Sequence, residues 1–282
     1  MKTMKVLCIA AIVFSAISFS SCKKDSIILP DTEHSSDKPG DSESPQDTIP
    51  SDTIPQDTIP TDSGDTEQPQ GPGNLLSQMG TIKLSYDATY QLTGYDSYSN
   101  IGYTIVYENG RPVRLNFTKH PSYAIYTYEG DLVSEIVTYN GYNEVSYRHH
   151  FTYANGKLIR ESQRSYISGF LTVDDYSYDA NGNLIRIAVS GAASGQESDL
   201  KFSYNVLYGN YDSQPNPMPL ISSEYYLPGV KLFTNNPGYR ETPSSKELYT
   251  YVYSSAGLPV ERATKLEGYS HVPAAIHRYS YW

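Results

Sequence analysis

Cysteine is nearly absent from this chain. Its 282 residues include two, Cys8 and Cys22, and none follows Cys22. Disulfides and cysteine-held metals are therefore excluded from everything beyond residue 22. Long apolar runs are missing too. The only one, at 6–17, is shorter than a helix that spans a bilayer. Segment 23–73 has no Phe, Trp or Tyr. Positive charge is scarce, and the formal net charge is −10. Segment 23–73 holds twelve acidic and three basic residues, and Lys2 and Lys5 add two positive charges, which leaves 74–282 at −3. A near-neutral folded part offers no basic field for nucleic acid. Catalytic signatures are missing as well: no Gly-x-Ser-x-Gly, no His-Glu-x-x-His and no phosphate loop occur. No enzyme activity, cofactor or metal is expected.

Two weaker patterns are set aside on physical grounds. Asp179, Asn181 and Asn183 alternate as in a calcium loop, but Gly182 is misplaced and the acidic twelfth ligand is lacking. They read as turn formers. His149 and His150 are adjacent on an expected strand and face opposite sides, so they do not chelate one ion.

The N-terminus has the order of a secretion signal. Lys2 and Lys5 precede the apolar run, and Ser20 and Ser21 precede Cys22. Residues 1–21 thus resemble a bacterial lipoprotein signal, which implies cleavage before Cys22 and acylation of its thiol. Lys23-Lys24-Asp25 follows, without an aspartate directly after the cysteine. The resemblance implies the outer membrane, leaving open whether the protein faces the surface or the periplasm. The membrane partner is then the lipid on Cys22.

Segment 22–73 reads as an acidic, disordered tether, because it has too little apolar surface to offset chain entropy. Extended, its length corresponds to ~150 Å, against ~40 Å for a flexible coil. It contains QDTIPSDTIPQDTIP. Asp47-Thr48-Ile49, Asp52-Thr53-Ile54, Asp57-Thr58-Ile59 and Asp25-Ser26-Ile27 resemble the Bacteroidota O-glycosylation sequon. That resemblance implies glycans on Ser26, Thr48, Thr53 and Thr58.

All 28 tyrosines lie after residue 85. IVYENGRPVRL, YTYEGDLVSEI, FTYANGKLIRE, YSYDANGNLIRI and YVYSSAGLPVER are copies of one unit. Its tyrosine is followed through Tyr86, Tyr107, Tyr128, Tyr153, Tyr178, Tyr204, Tyr226, Tyr253 and Tyr281, a period of about 24 residues that fits one hairpin. A second apolar residue two positions earlier shares the tyrosine's face. The glycine suits a type I turn with a G1 bulge. Three residues beyond it, Val113, Val133, Ile159, Ile185 and Val260 are expected to return to that same face, with Arg114, Arg160 and Arg186 opposite. Tyrosine rings are expected to pack across strands with their hydroxyls in water.

YDANGNLIR resembles the tyrosine-aspartate repeat of rearrangement-hotspot and teneurin-type proteins, which build curling antiparallel sheets. Signal, tether and worn repeats together resemble Bacteroidota lipoproteins that carry a domain of unknown function with a porin-like fold, over roughly 75–282. The expected fold is all-β: a single large, curved, antiparallel up-and-down sheet of about 14–16 strands, barrel-like and water-soluble. A membrane barrel fits poorly, because charges stand beside the apolar positions and 276–282 lacks apolar alternation ending at Trp282. Tyr279/Tyr281 read as half a repeat that closes the sheet.

The repeat breaks at 205–250, a proline-rich irregular insert. Long loops on a rigid sheet carry binding. Tyr208, Tyr211, Tyr225, Tyr226, Phe233 and Tyr239 are candidate stacking platforms, with Asn236 and Arg240 as polar contacts. The same aromatics also fit a plug for the open end of the sheet. The functional expectation is a lipid-anchored envelope binding module for a glycan or protein ligand. The alternative is a structural or accessory envelope protein.

Overall fold

The computed structural model describes residues 73–98, 101–219 and 225–282. The signal and most of the tether, with Cys22, Ser26, Thr48, Thr53 and Thr58, lie outside the described residues. The described residues are almost entirely strand and turn. Sixteen strands follow in order: β1 Leu76–Met79, β2 Ile82–Tyr86, β3 Leu92–Asp96, β4 Gly102–Glu108, β5 Arg111–Phe117, β6 Tyr123–Glu129, β7 Leu132–Tyr139, β8 Val145–Ala154, β9 Lys157–Ser165, β10 Leu171–Tyr178, β11 Leu184–Ala192, β12 Lys201–Gly209, β13 Tyr239–Thr242, β14 Ser245–Tyr253, β15 Pro259–Leu266 and β16 Ala275–Tyr281. One short 3-10 turn, Glu197–Asp199, precedes β12.

Each strand pairs antiparallel with its neighbours in sequence, and β1 pairs with β16, so the sheet closes as a barrel. The closing ladder sets Leu76 opposite Tyr281 and Met79 opposite Tyr279. The half repeat at the end of the sequence therefore does close the sheet. The irregular part of the insert is shorter than 205–250, because β12 runs to Gly209 and β13 resumes at Tyr239.

The hairpin turns use three solutions. At Asn109-Gly110 and Asn155-Gly156 both residues have positive φ, the signature of a two-residue type I′ turn rather than type I plus bulge. The Gly130-Asp131 loop has positive φ at Gly130 only, as type II′ requires. The third is the expected type I turn ending in a positive-φ glycine, with Gly182 N–H donating to the Asp179 carbonyl at 3.1 Å and Gly257 N–H to the Ser254 carbonyl at 3.0 Å, and at Asp179 an Asx turn supports it. Asp179 Oδ1 accepts the N–H groups of Asn181 (2.9 Å) and Asn183 (2.8 Å), and Gly182 takes the positive φ. Asp87 and Asn140 build the same turn, with Tyr90 and Asn143 at the positive-φ position.

Every one of these repeat hairpins slips register beside its tyrosine, at Tyr86, Tyr107, Tyr128, Tyr153, Tyr178 and Tyr253. The extra residue lies on the second strand. Two consecutive side chains there share the outer face. The expectation for Ile159, Ile185 and Val260 is thereby overturned: they are 36–38% exposed. The buried residue is instead the one facing the tyrosine across the ladder: Leu92, Pro112, Val133, Leu158, Leu184 and Pro259.

The tyrosine hydroxyls are not in water. Tyr107 donates to the Leu92 carbonyl, Tyr128 to Pro112, Tyr153 to Val133, Tyr178 to Leu158, Tyr281 to Pro259 and Tyr86 to Leu76, all at 2.7–2.9 Å. Each acceptor belongs to the residue that faces the preceding tyrosine. The straps thus join each hairpin to the one before it. Burial pushes these phenols above their ordinary range, Tyr128 to about 12, so all stay protonated donors at neutral pH. The strap to the Leu184 carbonyl comes from Tyr211 and not from Tyr204, the tyrosine followed as the anchor of that copy. Tyr226 is not a strap but lies in the insert.

The outer face bears ion pairs in mid-strand: Arg148–Glu135 at 2.6 Å, Arg160–Asp175 at 3.1 Å and Arg278–Glu261 at 3.8 Å. His149 and His150 do face opposite sides. His149 is buried inside, while His150 meets Glu135 on the exterior at 3.3 Å.

Candidate functional site

The insert re-enters the barrel and fills part of its interior. Leu227, Val230 and Leu232 are buried at 0–5% exposure against Leu84, Leu92, Tyr103, Leu115 and Ile136 of the first strands. Two polar hubs hold this plug. Asn183 Oδ1 accepts the backbone N–H groups of Thr234 (2.9 Å) and Asn235 (2.8 Å). Asp212 Oδ1 accepts Gln214 N–H (2.9 Å) and Asn236 N–H (3.1 Å), while its Oδ2 accepts the Tyr253 hydroxyl. Tyr253 is thus diverted from strap duty to the plug. The Tyr126 hydroxyl donates to the Tyr226 carbonyl at 2.9 Å. The Tyr225 hydroxyl meets Thr138 Oγ1 at 2.8 Å, and its ring packs on His149 at 4.6 Å.

The opposite interior wall, on β12 to β16, has a different lining. Strand alternation turns Tyr208, Arg240, Glu247, Tyr249, Tyr251, Arg262, His277 and Tyr279 inward. Register sets Tyr208 opposite Arg240 and Arg240 opposite Glu247. It likewise sets Tyr251 opposite Arg262 and Arg262 opposite His277. Arg262 lies over the Tyr249 ring, 4.8 Å from its centroid, and the Tyr249 hydroxyl donates to Glu247. Tyr208, Arg240, Glu247, Tyr251, His277 and Tyr279 all keep partial exposure although they face inward. Sixteen strands enclose more room than strand side chains alone fill, and on this side of the interior those six side chains keep access to solvent. Burial holds the phenols of Tyr208, Tyr249, Tyr251 and Tyr279 above their ordinary range, keeping them neutral donors. Burial, reinforced by Arg262, lowers the His277 pKa, so its ring is neutral at pH 7.

Between plug and open wall lies an acidic group on β8 to β10. Glu161 accepts from Tyr176 Oη (3.0 Å) and sits 2.9 Å from His149 Nδ1. Asp174 is opposite Glu161 in the ladder. Burial first, then the Glu161 and Asp175 charges, push the Asp174 carboxyl up to about 7. Among the described residues no group of three or more His, Cys, Asp or Glu side chains is placed to hold a metal.

The residues singled out in 205–250 are dispersed. Tyr225 is 4% exposed and Asn236 2%, both within the plug. Phe233 packs on Tyr208 at 5.1 Å and on Tyr211 at 6.4 Å. Tyr226 is half-buried against the core. Tyr239 pairs with Leu248 on the outer face, with Lys246 5.2 Å from its ring. Only Tyr208 and Arg240 stand on the open wall. Arg262, Tyr249, Tyr251 and Tyr279, which complete it, are strand residues outside the named set. A signal for them existed. At the inward position three residues past the buried one, Leu115 and Ile136 become Glu161 and Arg262.

With this geometry in view, the similar solved structures include two porin-like proteins. One is a porin-like protein from Bacteroides uniformis, at 12% identity and a TM-score of 0.51, the match covering 71% of this chain and 89% of that one. The other is a porin-like protein from Bacteroides vulgatus, at 14% identity and a TM-score of 0.51, covering 74% and 99%. At these identities the likeness is one of fold. No family model and no curated protein matches the chain.

Proposed function

We propose that this chain is a lipid-anchored protein of the cell envelope, held at the outer membrane by acylated Cys22. Its water-facing barrel binds a glycan or protein ligand in the open side of the lumen, without catalysis. The observation that carries this reading is the unequal interior. One side is packed by the plug, and the other presents partly exposed Tyr and Arg side chains on rigid strands. A plugged lumen argues against solute conduction. No helix among the described residues is long and apolar enough to cross a membrane. A barrel crosses with strands, so the outer face is the relevant surface. Its mid-strand ion pairs fit water better than the apolar band of a membrane barrel. The tether, glycosylated at Ser26, Thr48, Thr53 and Thr58, sets the domain off from the lipid.

The tests separate these elements. Growth of the source cells with an alkyne fatty acid should label the protein, and Cys22→Ser should abolish the label. Intact mass of native protein should exceed polypeptide plus lipid; an equal mass removes the glycosylation. A glycan array probed with the purified chain should give specific hits that Arg240→Gln weakens. An array and a partner pull-down both without hits would remove the binding role.

A further inference from the structure

The open wall has a chemical bias that goes beyond a general binding surface. Two arginines enter it, Arg240 from β13 and Arg262 from β15. The Tyr249 ring lies between them in the ladder, since Tyr249 is on β14 two residues from Glu247, Arg240's cross-strand neighbour. Arg262 is 9% exposed. Held at that burial over the Tyr249 ring, its guanidinium is fixed rather than snorkelling. Among the described residues no carboxylate stands within ion-pair distance of Arg240. Glu247, opposite Arg240 in the ladder, attracts it electrostatically and accepts the Tyr249 hydroxyl, so on this wall two guanidiniums share that carboxylate. His277 adds no negative charge, and Asp174, pushed up to about 7, is partly neutral at physiological pH. The Tyr208 phenol borders the Arg240 guanidinium and that of Tyr279 borders Arg262, while Tyr251, opposite Arg262, donates its hydroxyl to the Pro237 carbonyl at 3.1 Å.

We infer that this wall is an oxyanion site that selects acidic saccharides, with Arg240 and Arg262 as the specificity-determining residues. The inference rests on the binding reading above and names its ligand class. A guanidinium matches a carboxylate or sulfate with two parallel N–H donors. Tyrosine faces beside it accept the apolar face of a sugar ring. A plain anion uses only the first feature and a neutral sugar only the second. A uronic acid or a sulfated sugar uses both.

The test is titration calorimetry on the full chain in detergent. Four probes are compared: a glucuronic acid oligosaccharide, its carboxyl-reduced counterpart, sodium sulfate and a polyglutamate peptide. The acidic oligosaccharide should bind at least about tenfold tighter than the reduced one, and sulfate should compete with it. Arg240→Gln and Arg262→Gln should each weaken it about tenfold or more, while Arg278→Gln on the outer face leaves it unchanged. If a Gln variant does not fold, Arg240→Lys and Arg262→Lys take its place. They keep the charge and lose the fork, and each should still weaken binding. Equal binding of acidic and reduced oligosaccharides overturns the inference and leaves the binding module standing. So does binding of polyglutamate alone. Failure of all four probes on a folded chain overturns the inference, and the glycan array and pull-down then decide the broader reading.

Discussion

Strands β4 to β7 and strands β14 to β16 are made from one hairpin, yet they enclose opposite interiors. In the first, the inward positions are Ile105, Leu115, Tyr126 and Ile136, packed on the plug. In the second they are Tyr251, His277 and Tyr279, which keep partial exposure, with Tyr249 and Arg262 buried beside them. The register slip beside the tyrosine is shared, and a strap closes each region, although Tyr253 makes none. What differs is a single inward row. Fold and lining are therefore specified by different residues, and the lining is free to change without loss of the barrel. Burial stabilises one side, and hydrogen bonds maintain the other.

Four experiments break or sharpen this contrast. Leu227→Ala should cost most. It removes a fully buried plug side chain, for about 3–4 kcal/mol and a fall in Tm of roughly 10 °C. Thr264→Ala on the open side should cost under about 1 kcal/mol. Calorimetric melts of both variants check the difference, and similar losses would mean that the open wall is packed after all.

Asp174→Asn comes next. Its folded pKa is raised to about 7 from 3.8. The folded state then holds a proton that the unfolded chain releases, so stability falls as pH rises from about 4 to 7. The variant should be more stable above pH 7, by at most about 4 kcal/mol, and unchanged below pH 4. Urea melts at pH 3.5 and 8 read this directly, and a pH-independent gain would refute the assigned cause.

Tyr153→Phe should cost about 1 kcal/mol by deleting the strap to the Val133 carbonyl. The same change at Tyr279 should cost less than about 0.5 kcal/mol. Urea midpoints measure both. The smallest effect is expected at Tyr90, which holds positive φ where the equivalent turn has Gly182. Tyr90→Gly should gain about 0.5 kcal/mol, visible as a slightly higher midpoint in urea.

Much of the barrel was legible in the sequence, because each hairpin announces itself locally. A glycine or asparagine at the turn and a tyrosine two residues past an apolar partner are short-range signals. Strand number, direction and closure by Tyr279/Tyr281 followed from them. The outward Ile159 and Ile185 were misplaced because a bulge shifts alternation by one residue and leaves no mark in composition. The hydroxyl straps were missed for a related reason: their acceptors are backbone carbonyls of whatever residue stands there. Among the insert residues, chemistry alone did not separate plug from wall. Tyr225 and Tyr208 look alike as letters, and only the three-dimensional path of 225–238 sends one inside the packing. Asn183 did carry a clue. Its copy alone has asparagine after the Asn-Gly pair, and that side chain pins the plug.

The straps have a consequence for how the molecule holds together as a whole. A linear array of repeats has two ends, and its terminal units are stabilised from one side only, which is why such arrays need caps. Here the last strap from Tyr281 and the first from Tyr86 meet at the Leu76 ladder. The array becomes a ring, in which every hairpin has two neighbours and none must serve as a cap. The ring has one soft joint, where Tyr253 turns to Asp212 instead of the hairpin before it. Opening of the barrel should begin there, so the joint that admits the plug also sets where the ring first yields.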